Sequence, residues 1–176
     1  WIIRTTVLQL IWLTNSNIKL QLVTEEFKVY TKIPPPIVTL IFGLTIYFSK
    51  SFFPVYAFDN SNIVSIIFFI FGFSVLITAI QSFKRHETTI NPLNPDKASS
   101  LVNSGIFSYS RNPMYLGMLL ILLSISFKFN ISGGIFISFL FKIYITRFQI
   151  IPEEEAMVKL FGEEFIAYKN QTRRWI

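Results

Sequence analysis

Apolar residues along this chain fall into long runs separated by short polar stretches, and the run from Ile63 to Phe83 carries no charged side chain. A hydrocarbon layer of about 30 Å takes roughly 20 helical residues to cross. Four runs approach that length. The first goes from Pro36 to Phe48 and extends into Phe52 and Phe53; the second is Ile63 to Phe83; the third is Pro113 to Phe127; the fourth, Ile131 to Phe148, is interrupted by Lys142. Lys128-Phe129-Asn130 leaves so little chain between the last two runs that they must form an antiparallel hairpin. The pattern predicts an all-α integral membrane protein with about four transmembrane helices, a C-terminal helical hairpin and short cytoplasmic helices after it.

The first residues follow a different pattern. Trp1 to Leu13 is apolar but interrupted by Arg4 and too short to span alone. It reads as the end of a truncated span or as an interfacial helix. No small-residue cleavage site follows, which disfavours a signal peptide. Residues 1–32 are therefore set apart from a membrane domain over 33–176, and Lys32-Ile33-Pro34-Pro35-Pro36 predicts a stiff lead-in to the first span.

Composition supports the membrane reading. With 52% hydrophobic residues and 20 Phe, 176 residues carry more apolar surface than a soluble core of this size needs. Charge then sets orientation, because Lys and Arg near span ends favour the cytoplasmic side. Arg4, Lys19, Lys28 and Lys32 precede the first span; Lys84, Arg85, Lys97 and Arg111 lie between the second and third; Lys159, Lys169, Arg173 and Arg174 follow the fourth. The opposite loops hold little more than Lys50 and Lys128. Both termini and the middle loop are expected to be cytoplasmic in a multi-pass chain. The net charge of +6 is then a headgroup-facing feature, and no basic stripe or recognition motif calls for nucleic acid. The absence of Cys removes thiolate chemistry and Cys-based metal sites. With His86 the one histidine and no ligand spacing within a span, no metal centre is expected, and His86 reads as a solvated interfacial residue.

Two segments hold the candidate chemistry. In Arg111-Asn112-Pro113-Met114-Tyr115, Asn at a cap and Pro at the first helical position are an ordinary helix start. That leaves Arg111, Tyr115, Phe107 and the turn at Gly105 unexplained. A helix N-terminus also offers free N–H groups and a positive dipole end to a carboxylate or phosphate. In the second segment, Pro152-Glu153-Glu154-Glu155 predicts another helix start, with Met157, Leu160 and Phe161 on one face. Gly162 is then expected to end that helix, ahead of one carrying Phe165 and Tyr168.

Together the segments carry Leu101-Val102, Ser104-Gly105, Phe107, Tyr109, Arg111-Asn112-Pro113, Tyr115 and Gly117, then an apolar hairpin. After it come Glu153-Glu154, Met157, Phe161-Gly162-Glu163-Glu164-Phe165, Tyr168 and a terminal Arg173-Arg174-Trp175. This order and separation resembles the isoprenylcysteine carboxyl methyltransferase and phospholipid methyltransferase superfamily, over about residues 85–176. The resemblance implies an S-adenosylmethionine-dependent membrane methyltransferase. In such an enzyme the cofactor enters from the cytoplasm, under the short helices that close its pocket, and a lipophilic acceptor enters from the bilayer.

The family's cofactor contacts would fall on Ser99, Ser100, Leu101, Val102, Phe107, Asn112, Pro113, Met114, Tyr115 and Glu153, with a further polar contact near Thr89 to Asn91. Phe107 stands where relatives often have Tyr, and Asn112 where eukaryotic relatives have His. The backbone of 112–115 is expected to receive the cofactor carboxylate, Glu153 to accept from its ribose or amine, and Leu101, Val102 and Phe107 to enclose adenine. Carboxyl-methylating relatives place an Arg one helical turn before the first Glu of the acidic pair; here Gln149 is at that position and Arg147 two residues earlier, so these are the acceptor-side candidates. The departure argues against a prenylcysteine carboxylate and leaves a lipid amine, a thiol or another small apolar molecule open. Two other readings compete: an NADPH-dependent membrane reductase of the sterol type, which shares a related C-terminal pattern, and a non-catalytic membrane relative.

Overall fold

A computed structural model describes residues 33–53, 59–86 and 100–176, and among these every regular element is helical. The N-terminal segment 1–32, the polar contact expected near Thr89 to Asn91, and Ser99 lie outside the described residues. Helix α1 spans Pro35–Phe48, α2 Ser61–Arg85, α3 Pro113–Phe129, α4 Ile131–Ile145, α5 Ile151–Phe161 and α6 Glu163–Gln171.

The prolines before α1 act less as a lead-in than as its first turn. Pro34 is extended at φ −54°, ψ 131°, whereas Pro35 and Pro36 are already helical, where a missing N–H costs nothing. Asn130 alone joins α3 to α4. It is extended at φ −164°, ψ 94°, and its Oδ1 accepts from Gly133 N at 3.1 Å, so one side chain stops one helix and caps the next. The expected hairpin follows: Ser126 Oγ lies 3.3 Å from Ser138 Oγ, and the missing side chain of Gly134 makes room for Ser126.

The polar contacts at the two ends fix an up-and-down order. Gln149 Nε2 donates to Ile33 O at 3.1 Å, placing the start of α1 beside the end of α4. At the opposite end Lys128 Nζ donates to Asn62 Oδ1 at 2.9 Å and Asn130 Nδ2 to Ser49 Oγ at 3.1 Å. Helix α3 sits in the middle, packed on α1, α2 and α4. Its approach to α2 is unusually close: a Cβ on Gly117 would lie 2.8 Å from Gly72 O, and one on Gly72 2.9 Å from Gly117 O. Val38, Ile46, Tyr115, Met118, Leu122, Ile137, Phe141 and Ile145 form the main core. A second cluster of Ala79, Val102, Phe107, Phe165 and Tyr168 closes one end, beneath α6.

Among the described residues two stretches are long and apolar enough to cross a membrane: α2, and the helix running without a break from Ile131 to Phe161. At 1.5 Å per residue they measure roughly 37 and 46 Å, whereas α1 and α3 reach only about 21 and 25 Å. Four apolar helices are present among the described residues, but α1 and α3, with 14 and 17 residues, fall short of the roughly 20 that a span takes. Large apolar side chains such as Leu40, Phe48, Ile67, Phe69, Phe71, Phe136 and Phe139 stay on the outside of the bundle.

The continuity through Pro152 corrects a second expectation. Pro152 does not begin a separate helix: Thr146–Ile150 forms a π-turn in which Ile151 N donates to Thr146 O, and the rod continues. Widening the turn immediately before Pro152 relieves the crowding its ring would otherwise cause against the preceding carbonyls. Gly162 ends α5 at φ +51°, ψ −124°, as expected of a residue without Cβ. On α5 the face differs from expectation: Met157, Val158 and Phe161 pack on the second cluster, while Leu160 is exposed.

Candidate functional site

The polar segment before α3 is built around Gly105, at φ +64°, which opens a 3-10 turn over Gly105–Ser108 and drops Phe107 into the second cluster. Phe107 meets Phe83 edge-on with ring centroids 5.1 Å apart, and its carbonyl accepts from Tyr168 Oη at 2.6 Å. Burial pushes the Tyr168 phenol well above its ordinary value, so it remains a donor. This bond staples α6 over the turn.

The two acidic neighbours on α5 have different partners. Glu153 Oε1 accepts from Tyr115 Oη across the gap between α5 and the first turn of α3. Glu154 is held from both sides: Arg111 Nη2 is 2.9 Å from Oε1, Arg174 Nη2 is 2.7 Å from Oε2, and Arg174 Nε also donates to Oε1 at 3.0 Å. The bond to Glu154 raises the Arg174 guanidinium still further above its already high value. The Arg111 and Glu154 side chains are 8% and 9% exposed, so this pair is largely withdrawn from water.

Arg111 also organises the last residues of the chain. Its backbone N–H donates to Arg173 O at 3.0 Å, and its Nη1 donates to Lys169 O and Thr172 O. Asn112 Nδ2 donates to Arg174 O at 2.9 Å. Trp175 Nε1 then reaches Thr146 Oγ1 at 3.2 Å, at the π-turn, and Lys142 lies over the Trp175 ring at 5.6 Å. Residues 172–175 thus form a strap across the start of α3 and the end of α4.

Most of the sequence candidates gather at this end. Pro113 and Tyr115 are buried in the first turn of α3, and Met114 packs on the second cluster with Leu101, Val102 and Phe107. Ser100 lies at the edge, its Oγ donating to His86 O at 2.9 Å. His86 is less solvated than expected: it is partly buried, and Nδ1 lies 2.8 Å from Ser82 O. Asn112 occupies the cap position but makes no capping bond, because its side chain is turned to the strap; the first-turn N–H groups of Met114 and Tyr115 receive no side-chain cap. Gln149 is fully buried, whereas Arg147 is exposed, so of the two acceptor-side candidates only Gln149 points inward. Glu154 and Arg174 were not singled out from the sequence. The motif contained both, but a carboxylate neighbouring Glu153 and an arginine beside Arg173 look alike until the fold sorts them.

A family profile described as phospholipid methyltransferase matches residues 60–164. A protein-S-isoprenylcysteine O-methyltransferase of Saccharomyces cerevisiae is 36% identical over 78 residues, covering 40% of this chain and 30% of the yeast protein. An uncharacterized protein of Haemophilus influenzae is 38% identical over 63 residues, 36% of this chain and 100% of that protein. The chain therefore spans less than a third of the yeast enzyme it matches. No solved structure matches.

Proposed function

This chain belongs to the phospholipid methyltransferase family, and we propose that it transfers the methyl group of S-adenosylmethionine to a lipophilic acceptor at the membrane. The observation that carries the reading is the Tyr115–Glu153 contact, which joins the uncapped start of α3 to α5 inside the segment the family profile covers. The residues present suit such a cofactor. Free first-turn N–H groups and the positive end of α3 would take its carboxylate, Glu153 would accept from its ribose or amine, and the half-buried faces of Leu101 and Met114 would meet adenine. Ser99, Ser100, Val102, Phe107, Asn112 and Pro113 complete the proposed set. Phe107 and Val102 act from below, and Asn112 acts by fixing the strap.

When bound, the cofactor supplies an electrophilic methyl on a sulfonium, and the positive charge on sulfur is lost as the acceptor's lone pair takes that methyl. The protein needs no covalent nucleophile for this. Its part is alignment and exclusion of water, and bringing two reactants into near-attack geometry accounts for much of such an acceleration. Tyr115 orients the Glu153 carboxylate, Arg111 and Arg174 hold the neighbouring turn of α5 in place through Glu154, and the strap covers the site. The domain is taken as residues 33–176, with cofactor binding in 85–176. The chain is proposed to be multi-pass, with both termini and the connection between α2 and α3 on the cytoplasmic side.

Calorimetric titration of the detergent-purified protein with S-adenosylmethionine, its demethylated product and NADPH tests this. Saturable binding of the first two alone, weakened about tenfold or more by Glu153→Gln, is the expected outcome. Binding of NADPH alone would transfer the chain to the reductases, and binding of none would make it a non-catalytic relative.

A further inference from the structure

Residues 173–175 differ from the helices beside them in what holds them. Helix α6 is fixed by the buried Tyr168–Phe107 bond, and Thr172, 6% exposed, still donates its N–H to Tyr168 O. From Thr172 the chain is extended, and beyond it the backbone lies across 110–112 on polar contacts: Arg173 O accepts from Arg111 N, and Arg174 O from Asn112 Nδ2 and, at 3.5 Å, from Ser110 Oγ. Its apolar anchorage is the ring of Trp175, partly buried on the main core, while Arg173 is exposed. The ion cluster that fastens it is built unequally. Arg111 gives both Nη2, at 2.9 Å, and Nε, at 3.3 Å, to Glu154 Oε1, and its side chain is 8% exposed; Arg174, which takes Oε2, is 35% exposed. Arg174 can therefore leave for water while Glu154 keeps a buried partner, whereas loss of Arg111 would strand the carboxylate. Such a pairing suits a fastener that opens, and the piece it fastens borders the uncapped first turn of α3.

We propose that residues 173–175 are a gate over that turn, closed by the Arg174–Glu154 ion pair and the Trp175–Thr146 bond, and that they swing out from Thr172 to let the cofactor pass. The inference rests on the methyl-transfer reading for what passes, though not for the motion itself. Helices α5 and α6 stay where they are: Arg111 keeps its hold on Glu154 and Tyr168 its hold on the Phe107 carbonyl. A gate alters entry and exit together, because both wait for the same opening. A group that only touches the bound ligand alters exit alone.

Because the chain has no Cys, a single introduced thiol reports the opening. Ser110→Cys places it beneath the gate at a position 1% exposed, and Ser138→Cys, also 1% exposed, places a control between α3 and α4. Labelling by N-ethylmaleimide is timed on the full chain in nanodiscs. Adding Arg174→Gln is expected to speed labelling of Ser110→Cys about tenfold, and adding Trp175→Phe, which keeps a ring but removes the Nε1 bond, about fivefold, with Ser138→Cys unchanged. Added salt is expected to speed it while Arg174 is present and to do nothing in Arg174→Gln, since the exposed arm of the ion pair is the one salt screens. Without the reporter, Arg174→Gln is expected to raise both the association and the dissociation rate of the demethylated cofactor. Unchanged labelling of Ser110→Cys in both variants would overturn the proposal. Equal gains at Ser110→Cys and Ser138→Cys would also overturn it, since they report loss of the fold, and so would faster dissociation with unaltered association. Failure of the wild type to bind the demethylated cofactor would instead remove the methyl-transfer reading, while the labelling series would still decide whether the gate moves.

Discussion

Replacing Glu154 by Gln leaves Arg111 and Arg174 sharing one neutral amide in place of a carboxylate, with Arg111 largely out of water. Removing one partner from such a buried cluster costs about 3 kcal/mol, so thermal unfolding in detergent should shift clearly downward in Glu154→Gln. Tyr115→Phe removes only the hydroxyl that meets Glu153. Its melting temperature should stay close to wild type, while affinity for the demethylated cofactor falls about tenfold, read by calorimetry. The contrast matters because residue type alone does not separate Glu153 from Glu154, and the resemblance named only Glu153. Their partners, Tyr115 and Arg111, are 38 and 43 residues away, and which carboxylate meets which is decided by how α5 is rotated. Tyr168 was legible as a residue of the helix after Gly162, but its role as a donor to the Phe107 carbonyl was not, since a backbone acceptor leaves no mark in a pattern of side chains.

Helix ends were the most legible elements where one residue decides them. Gly162 was expected to end α5 and does so at φ +51°, with nothing within 4 Å of the Cβ it lacks. Gly162→Val should therefore cost conformational energy alone, about 1–3 kcal/mol, read as a lowered melting temperature and faster proteolysis between α5 and α6. Gly117→Leu should behave differently. Its new side chain would enter Leu76 and the Gly72 carbonyl, forcing α2 off α3, and the folded fraction by size exclusion should collapse. The passage through Pro152 could not be read from sequence, because a proline after an apolar run signals a helix start and a π-turn signals nothing beforehand. The shortness of α1 was hidden for a similar reason: hydropathy carries the apolar run on into Phe52 and Phe53, whereas the α-helix ends at Phe48.

At the scale of the whole molecule, exposed basic side chains are unevenly placed. Lys84, Arg85, Arg147, Lys159, Lys169 and Arg173 lie toward the site end, against Lys50 and Lys128 at the other. Because the chain has no Cys, sidedness can be read directly. In sealed vesicles of known orientation, Lys169→Cys should react with a membrane-impermeant maleimide only from the cytoplasmic face, and Lys50→Cys only from the opposite one. Equal labelling from one side would reverse the multi-pass reading. The hairpin has a further consequence for divergence. Tyr115 and Glu153 sit on the two arms of a hairpin, 15 residues before Asn130 and 23 residues after it, and they meet only while the arms keep that offset. One extra turn in α3 alone would part them by about 5.4 Å, whereas a turn added to both arms would leave them in register. Length changes among homologous hairpins should therefore come in matched pairs, so that such a protein can be refitted to a thicker bilayer by lengthening both arms while its chemistry stays as it was.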